Sequence, residues 1–214
     1  MSTAAGKNST EKLRLQAIRG RMSGKRGLTV AAAALAAISL SACGAADNRT
    51  TSGTYAGEDG ASAPYLNVGP LVYQVQISRS LNPYETEDSQ YLAGMPKAER
   101  ELKPGEEWFG VFMMVFNEHN ATHVDASDIT IYDTEGQVYH PIVPNSTNLY
   151  AYRPGKVAGK GQIPAPDTTA SYGPTGGALL YYKIPLEALE DRPLTIKIVS
   201  PTDPAEAATA ELDV

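Results

Sequence analysis

From Tyr65 onward the apolar residues recur with period two. That spacing puts alternate side chains on opposite faces of an extended chain, so it calls for strands with one covered face. In "LVYQVQIS" Leu71, Tyr73, Val75 and Ile77 share a face, with Gln74 and Gln76 on the other. "LTIKIVS" turns Leu194, Ile196 and Ile198 inward, and "ATAELDV" does the same with Ala210, Leu212 and Val214. "WFGVFMMVFN" is apolar on both faces, as a central strand covered on two sides would be. "DITIYDTEGQVYHPI" reads as a hairpin turning through Asp133-Thr134-Glu135-Gly136, with the glycine free to take positive φ. "GALLYYKIP" is a further strand, and Pro185-Leu-Glu-Ala-Leu leaves room for one or two helical turns. "MPKAERELKPG" (95–105) is a candidate short helix bounded by prolines. The expected fold is therefore all-β: an antiparallel immunoglobulin-like β-sandwich of about seven strands over residues 65–214.

The sandwich is preceded by two segments of different character. Leu28 to Ser39 is an uncharged apolar run of about 12 residues, short of the roughly 20 that a spanning helix needs. It follows a basic stretch ending Lys25-Arg26-Gly27, which is the layout of a secretory signal. Its end, Leu40-Ser41-Ala42-Cys43, resembles the lipobox of bacterial lipoprotein precursors. That resemblance implies a diacylglyceryl group on the Cys43 thiol and cleavage after Ala42, so that residues 1–42 are a signal peptide. An ordinary signal peptide or a short buried helix with a chance cysteine is the alternative, but Cys43 is the chain's single cysteine. Met22 would give a more compact basic region than Met1, and the lack of an Arg-Arg pair favours the general secretory route over the twin-arginine one. Two or three acyl chains (palmitate among them) would hold the protein firmly to a membrane without spanning it. Residues 44–64, "GAADNRTTSGTYAGEDGASAP", hold Tyr55 as the one large side chain and read, with Cys43, as a lipidated flexible tether.

Charge narrows the partners. The net charge is −6, but residues 1–42 carry seven bases and one acid, leaving a body of 11 bases against 23 acids. Such a body is unsuited to nucleic acid, which needs a basic surface to displace counterions. The domain also resembles a telokin-like, immunoglobulin-type extracellular domain of unknown function found on bacterial lipoproteins, through "VFMMVFNEHNAT", "DITIYDTEGQVYHP" and "GGALLYYKIPLEAL". The likeness covers roughly residues 65–200 and implies no catalytic residues. The long stretch between His140 and Gly177 departs from that pattern.

Candidate sites are few. His119 and His123 are four apart, which on an extended chain is about 13 Å, too far to share a metal. Met113 and Met114 are neighbours on a strand and face opposite ways, so core packing suits them better than copper. Asp125, Asp128, Asp133 and Glu135 lack the spacing of an EF-hand and read as solvated strand ends, with a weak calcium site as the alternative. Asn48, Asn120 and Asn145 head glycosylation sequons that carry little meaning in a bacterial lipoprotein. No cofactor, metal site or catalytic residue is expected.

The stretch 143–177 stands apart. It is rich in Pro and Gly, and it carries Tyr150, Tyr152, Tyr172, Arg153, Lys156 and Lys160, a basic and aromatic island in an acidic domain. Irregular segments of this length are functional or disordered. The composition suits a contact surface for a protein or cell-envelope partner. A loop whose tyrosines merely cover the sheet edge is the other reading. The expectation is a non-enzymatic binding or scaffold module, lipid-anchored on the extracytoplasmic face of the cell membrane. The alternative is a small-ligand or metal carrier, or an enzyme accessory subunit, serving a membrane complex.

Overall fold

A computed structural model describes residues 65–190 and 192–212. The signal peptide, the lipobox with Cys43 and the tether lie outside the described residues.

The chain runs β1 (Tyr65–Val68), β2 (Leu71–Leu81), helix α1 (Thr86–Tyr91), a 3-10 turn (Lys97–Glu99), β3 (Glu106–Phe116), β4 (His123–Val124), β5 (Ile129–Tyr132) and β6 (Val138–Tyr139). It continues through β7 (Lys156–Val157), β8 (Gln162–Ile163), α2 (Thr169–Tyr172), β9 (Ala178–Pro185), α3 (Leu186–Glu190), β10 (Leu194–Val199) and β11 (Ala207–Leu212). Seven of these strands, β1, β2, β3, β5, β9, β10 and β11, have four residues or more. The rest are two-residue pairings. One sheet is ordered β1-β2-β3-β8, with β9 also paired to β3. The second is β11-β10-β5-β6, and β4-β7 form a separate ribbon. Every strand pairing is antiparallel. The fold is an antiparallel β-sandwich, as the alternation predicts.

The main core lies between the sheets. Tyr73, Val75, Phe109, Val111, Met113, Val115, Leu180, Tyr182 and Ile184 from one face meet Ile129, Ile131, Leu194, Ile196, Ile198 and Leu212 from the other. The strand β3 is apolar on both faces because a second cluster covers its back. Trp108 and Phe112 pack there with Leu81, Tyr91, Met95, Leu179 and Tyr181. Met113 and Met114 separate as expected, Met113 into the core and Met114 to a half-buried position.

The third layer changes the expected reading of β2. A bulge between Val75 and Ile77 shifts the register, so Tyr73 lies opposite Val115 but Ile77 lies opposite Phe112. Ile77 therefore leaves the face of Leu71, Tyr73 and Val75 and joins the back of the sheet. Gln74, expected on an open face, is buried because that face is covered. Arg79 then reaches the buried Asp88 of α1 with two bonds of 2.6 and 3.0 Å. The same guanidinium sits 6.0 Å from the Tyr91 ring and 5.8 Å from the Phe112 ring. A polar helix with no side-chain cap is thus held by an ion pair and one aromatic anchor. The stretch expected to be a helix at 95–105 forms only the 3-10 turn, whose Glu99 pairs with Lys183 on β9.

The hairpin turn of β5 and β6 is as expected, with Gly136 at φ 84°. Asp133 is not a solvated strand end. It is buried and accepts from the Glu135 and Gln137 amides at 3.0 and 2.9 Å and from the Tyr139 hydroxyl at 2.7 Å.

Candidate functional site

The stretch 143–177 is stitched to the sandwich rather than free of it. Its first anchor is Asn148, a buried amide that donates to the carbonyls of Tyr91 and Ala93 at 2.7 and 2.8 Å. Its oxygen accepts from the amides of Tyr150 and Ala151, both at 2.9 Å, and from the Tyr181 hydroxyl at 3.2 Å. Every hydrogen-bonding group of that side chain is thereby used on keeping the loop against α1 and β9. Ala151 then bridges to Leu179 on β9, and β8 pairs with the end of β3.

The six residues of the aromatic and basic island divide. Tyr152 is 4 % exposed and belongs to the core, so it is no contact residue. Its hydroxyl lies 2.8 Å from both Asp125 Oδ2 and the Ala126 carbonyl. Tyr150 is half-buried and meets Tyr91 edge-to-face, ring centroids 4.7 Å apart. Tyr172 stands out from α2 at 74 % exposure, its hydroxyl donating to Asp167 at 3.0 Å. The exposed Arg153 guanidinium donates to the carbonyls of Pro144 and Asn145. Lys156 is exposed on β7. Lys160, at φ 59°, reaches the Glu118 carbonyl at 2.5 Å and lies at a different place, beside Phe116 and Gln162.

Arg153 and Lys156 line one open groove of about 380 Å³ together with Leu149, Gln162, Ile163 and Thr168. Its lining includes no carboxylate, and neither cation makes an ion pair among the described residues. Leu149 is 66 % exposed on the rim. Carbonyl bonding fixes the Arg153 side chain while leaving its charge uncompensated, so the groove offers a positioned cation and a mobile one beside apolar walls. A much smaller cavity of about 40 Å³ lies between Ile142, Tyr152, Pro154 and Leu180, with room for a water and little more.

Two features were not visible in the sequence. Asp125, read as a solvated strand end, is buried beneath the loop, where one carboxyl oxygen takes the Gly155 amide and the other meets the Tyr152 hydroxyl at 2.8 Å. Burial pushes its carboxyl above the ordinary range, and the hydrogen bonds around it pull it only part of the way back. The same burial raises Tyr152 and Tyr73, whose hydroxyl accepts from the Ala126 amide at 2.7 Å. Second, His119 and His123 are not far apart. The chain turns between them, and their rings meet edge-to-face with centroids 5.5 Å apart. Asn117 forms that turn: it is buried and donates to the carbonyls of Ala121, Val157 and Ala158 at 2.8, 3.0 and 3.0 Å. A local signal did exist in the Asn-rich turn, but its partners come from a segment some forty residues away.

No family model and no curated protein matches this sequence. Among solved structures, similar chains include a candidate lipoprotein of Bacillus subtilis, ycdA (TM-score 0.43, 10 % identity), covering 70 % of this chain and 38 % of that one. The yjhA protein of Bacillus subtilis gives TM-score 0.45 at 13 % identity over 70 % of this chain and 97 % of its own. An uncharacterised β-sandwich protein of Clostridium difficile gives 0.41 at 11 % over 76 % and 95 %. This chain thus spans well under half of ycdA, and these distant likenesses carry nothing about what it binds.

Proposed function

We propose that this protein is a lipid-anchored extracytoplasmic binding module, non-enzymatic, that engages a protein partner through the groove of Arg153 and Lys156. The observation that carries the reading is the pairing of a carbonyl-held arginine with an exposed leucine rim and a tyrosine on the adjoining helix. Arginine and tyrosine are the residue types that dominate binding energy at protein interfaces. The groove's volume is in the range of small-ligand sites, but an open groove cannot bury most of a small molecule's surface, which favours a macromolecular contact. The Leu40 to Cys43 motif supports the anchor. No helix among the described residues is long and apolar enough to cross a membrane.

Excision of the loop would not test this, since Tyr152 and Val157 are core residues. Point changes do. Cross-linking through Lys156 on intact cells should join a discrete set of proteins, and Arg153→Glu or Leu149→Ser should remove them while leaving thermal unfolding unchanged. Identical cross-links in those variants would refute the groove as the contact surface. Cross-links to glycan or polyphosphate alone would replace the protein partner with an envelope polymer. The anchor has its own test: Cys43→Ala should leave the precursor uncut and unlipidated, and normal processing of that variant would refute it.

A further inference from the structure

The two histidines that the sequence places too far apart are neighbours in space, and their setting is rigid. The turn carrying them is held from three directions. Asn117 ties its base through the three carbonyl bonds described above and accepts from the His119 amide at 3.0 Å. The Lys160 amide donates to the His119 carbonyl at 2.9 Å. His123 pairs with Val157 in the β4–β7 ribbon. Gly159 packs so closely that a Cβ there would stand 2.0 Å from the Asn120 carbonyl oxygen. Bringing the two imidazoles together therefore carries little further loss of backbone freedom.

The spacing matches shared coordination. A metal–nitrogen bond is about 2.0–2.1 Å and a ring nitrogen lies about 1.1 Å from its centroid, so two imidazoles at a tetrahedral angle on one ion have centroids roughly 5 Å apart. The observed separation is 5.5 Å. His119 is exposed and His123 half-buried, leaving an approach from solvent. No third His, Cys, Asp or Glu completes a cluster among the described residues, so the remaining positions fall to water or to a ligand brought by another molecule. The Lys160 ammonium donates to the Glu118 carbonyl in the same turn, a further tie on the backbone beside His119.

We propose that His119 and His123 form a two-imidazole site for a divalent first-row transition metal. Imidazole suits copper, nickel and zinc, with copper bound most tightly of the three and calcium and magnesium excluded by ligand type. Neither histidine lines the Arg153 groove, and the site stands independently of it.

The test is a zinc titration of the full chain carrying Cys43→Ser, which removes the competing thiol. The imidazole resonances are followed by NMR. The His119 and His123 rings should shift together and saturate at one zinc per chain, with His140 as the internal control that does not move. Losing one ring removes the chelate, so His119→Ala or His123→Ala should weaken binding by about a hundredfold. Unchanged affinity in either variant would overturn the proposal, as would shifts that spread to His140 and never saturate. Both side chains lie at the surface turn, and an unaltered melting temperature for each variant separates lost coordination from lost fold.

Discussion

Asp125 offers the sharpest test of how the loop is held. One carboxyl oxygen takes the Gly155 amide, and the other lies 2.8 Å from the Tyr152 hydroxyl, which is itself 2.8 Å from the Ala126 carbonyl. A phenol has one proton and cannot donate to both. A proton on Asp125 completes the chain: the acid donates to Tyr152, and Tyr152 donates to Ala126. Burial penalises the charged form and raises the carboxyl, which is the direction that arrangement requires. The sign follows. A group whose folded-state value lies above its unfolded one contributes fully below the unfolded value, and the contribution fades as pH rises through the folded one.

Asp125→Asn should therefore do little harm. The amide oxygen can accept from Gly155 and the amide nitrogen can donate to Tyr152, reproducing the protonated acid without its titration. Its advantage over the native residue should grow as pH rises above the ordinary carboxylate range. Asp125→Ala instead orphans the Gly155 amide. An unmet buried donor costs about 1–3 kcal/mol, and the cavity raises the total to about 2–4 kcal/mol. At roughly 2–4 °C per kcal/mol for a domain of this size, the melting temperature should fall by about 5–15 °C. Thermal unfolding by circular dichroism, at one pH within the ordinary carboxylate range and one well above it, measures both variants. If asparagine melts as low as alanine at both, the ionised carboxylate is what the site requires and the proton chain is wrong.

Removal of Asp88 leaves the Asn82 amide without its acceptor and takes two carboxylate bonds from Arg79, which keeps the Ser80 carbonyl, so Asp88→Ala should cost about 1–3 kcal/mol in denaturant unfolding. Burial raises that carboxyl, but bonds from Arg79 and Asn82 outweigh it and hold it below the ordinary range; its contribution should be present above the unfolded value and lost as acid titrates through the folded one. Asn148→Ala should cost about 2–4 kcal/mol and speed proteolysis between Pro144 and Arg153 before the sandwich itself unfolds. Gly159→Ala should cost roughly 2–4 kcal/mol and move the His119 and His123 rings apart, visible as loss of their cross-relaxation. A Gly159→Ala protein with native stability would show that the turn has room that its close contact denies.

The sandwich was legible because each of its long strands declares its own face. Leu194, Ile196 and Ile198 need no knowledge of their partners to be assigned inward, and the Gly136 turn carries its own geometry. What the sequence withheld depends on third parties. Ile77 changes face through a bulge that no local pattern announces, and it then packs against a cluster built with Tyr91 of α1, Met95 and the loop residues Ile142 and Tyr150. The helix α1 is six polar or aromatic residues with no cap, and its stability comes from Arg79 on another element. The island at 143–177 was visible as composition, yet composition cannot tell Tyr152, sealed against Asp125, from Tyr172, standing in solvent. The histidine pair failed as a prediction because distance was counted along an extended strand, whereas Asn117 bends the chain between the two rings. In each case the missing term is a partner on another element, which no local pattern names.

The β3–β9 ladder joins residues 65 to 79 positions apart, from Met113 with Ala178 to Glu106 with Pro185. Long loops must close before such pairs contribute anything, so neither core can settle until the chain is nearly complete. The hairpin of β2 and β3 can pair as soon as both strands exist, but the two clusters on either side of β3 wait for β9, which belongs to the last third of the chain. A topology that closes its central strand with so late a segment makes the completion of both cores one of the last events of folding.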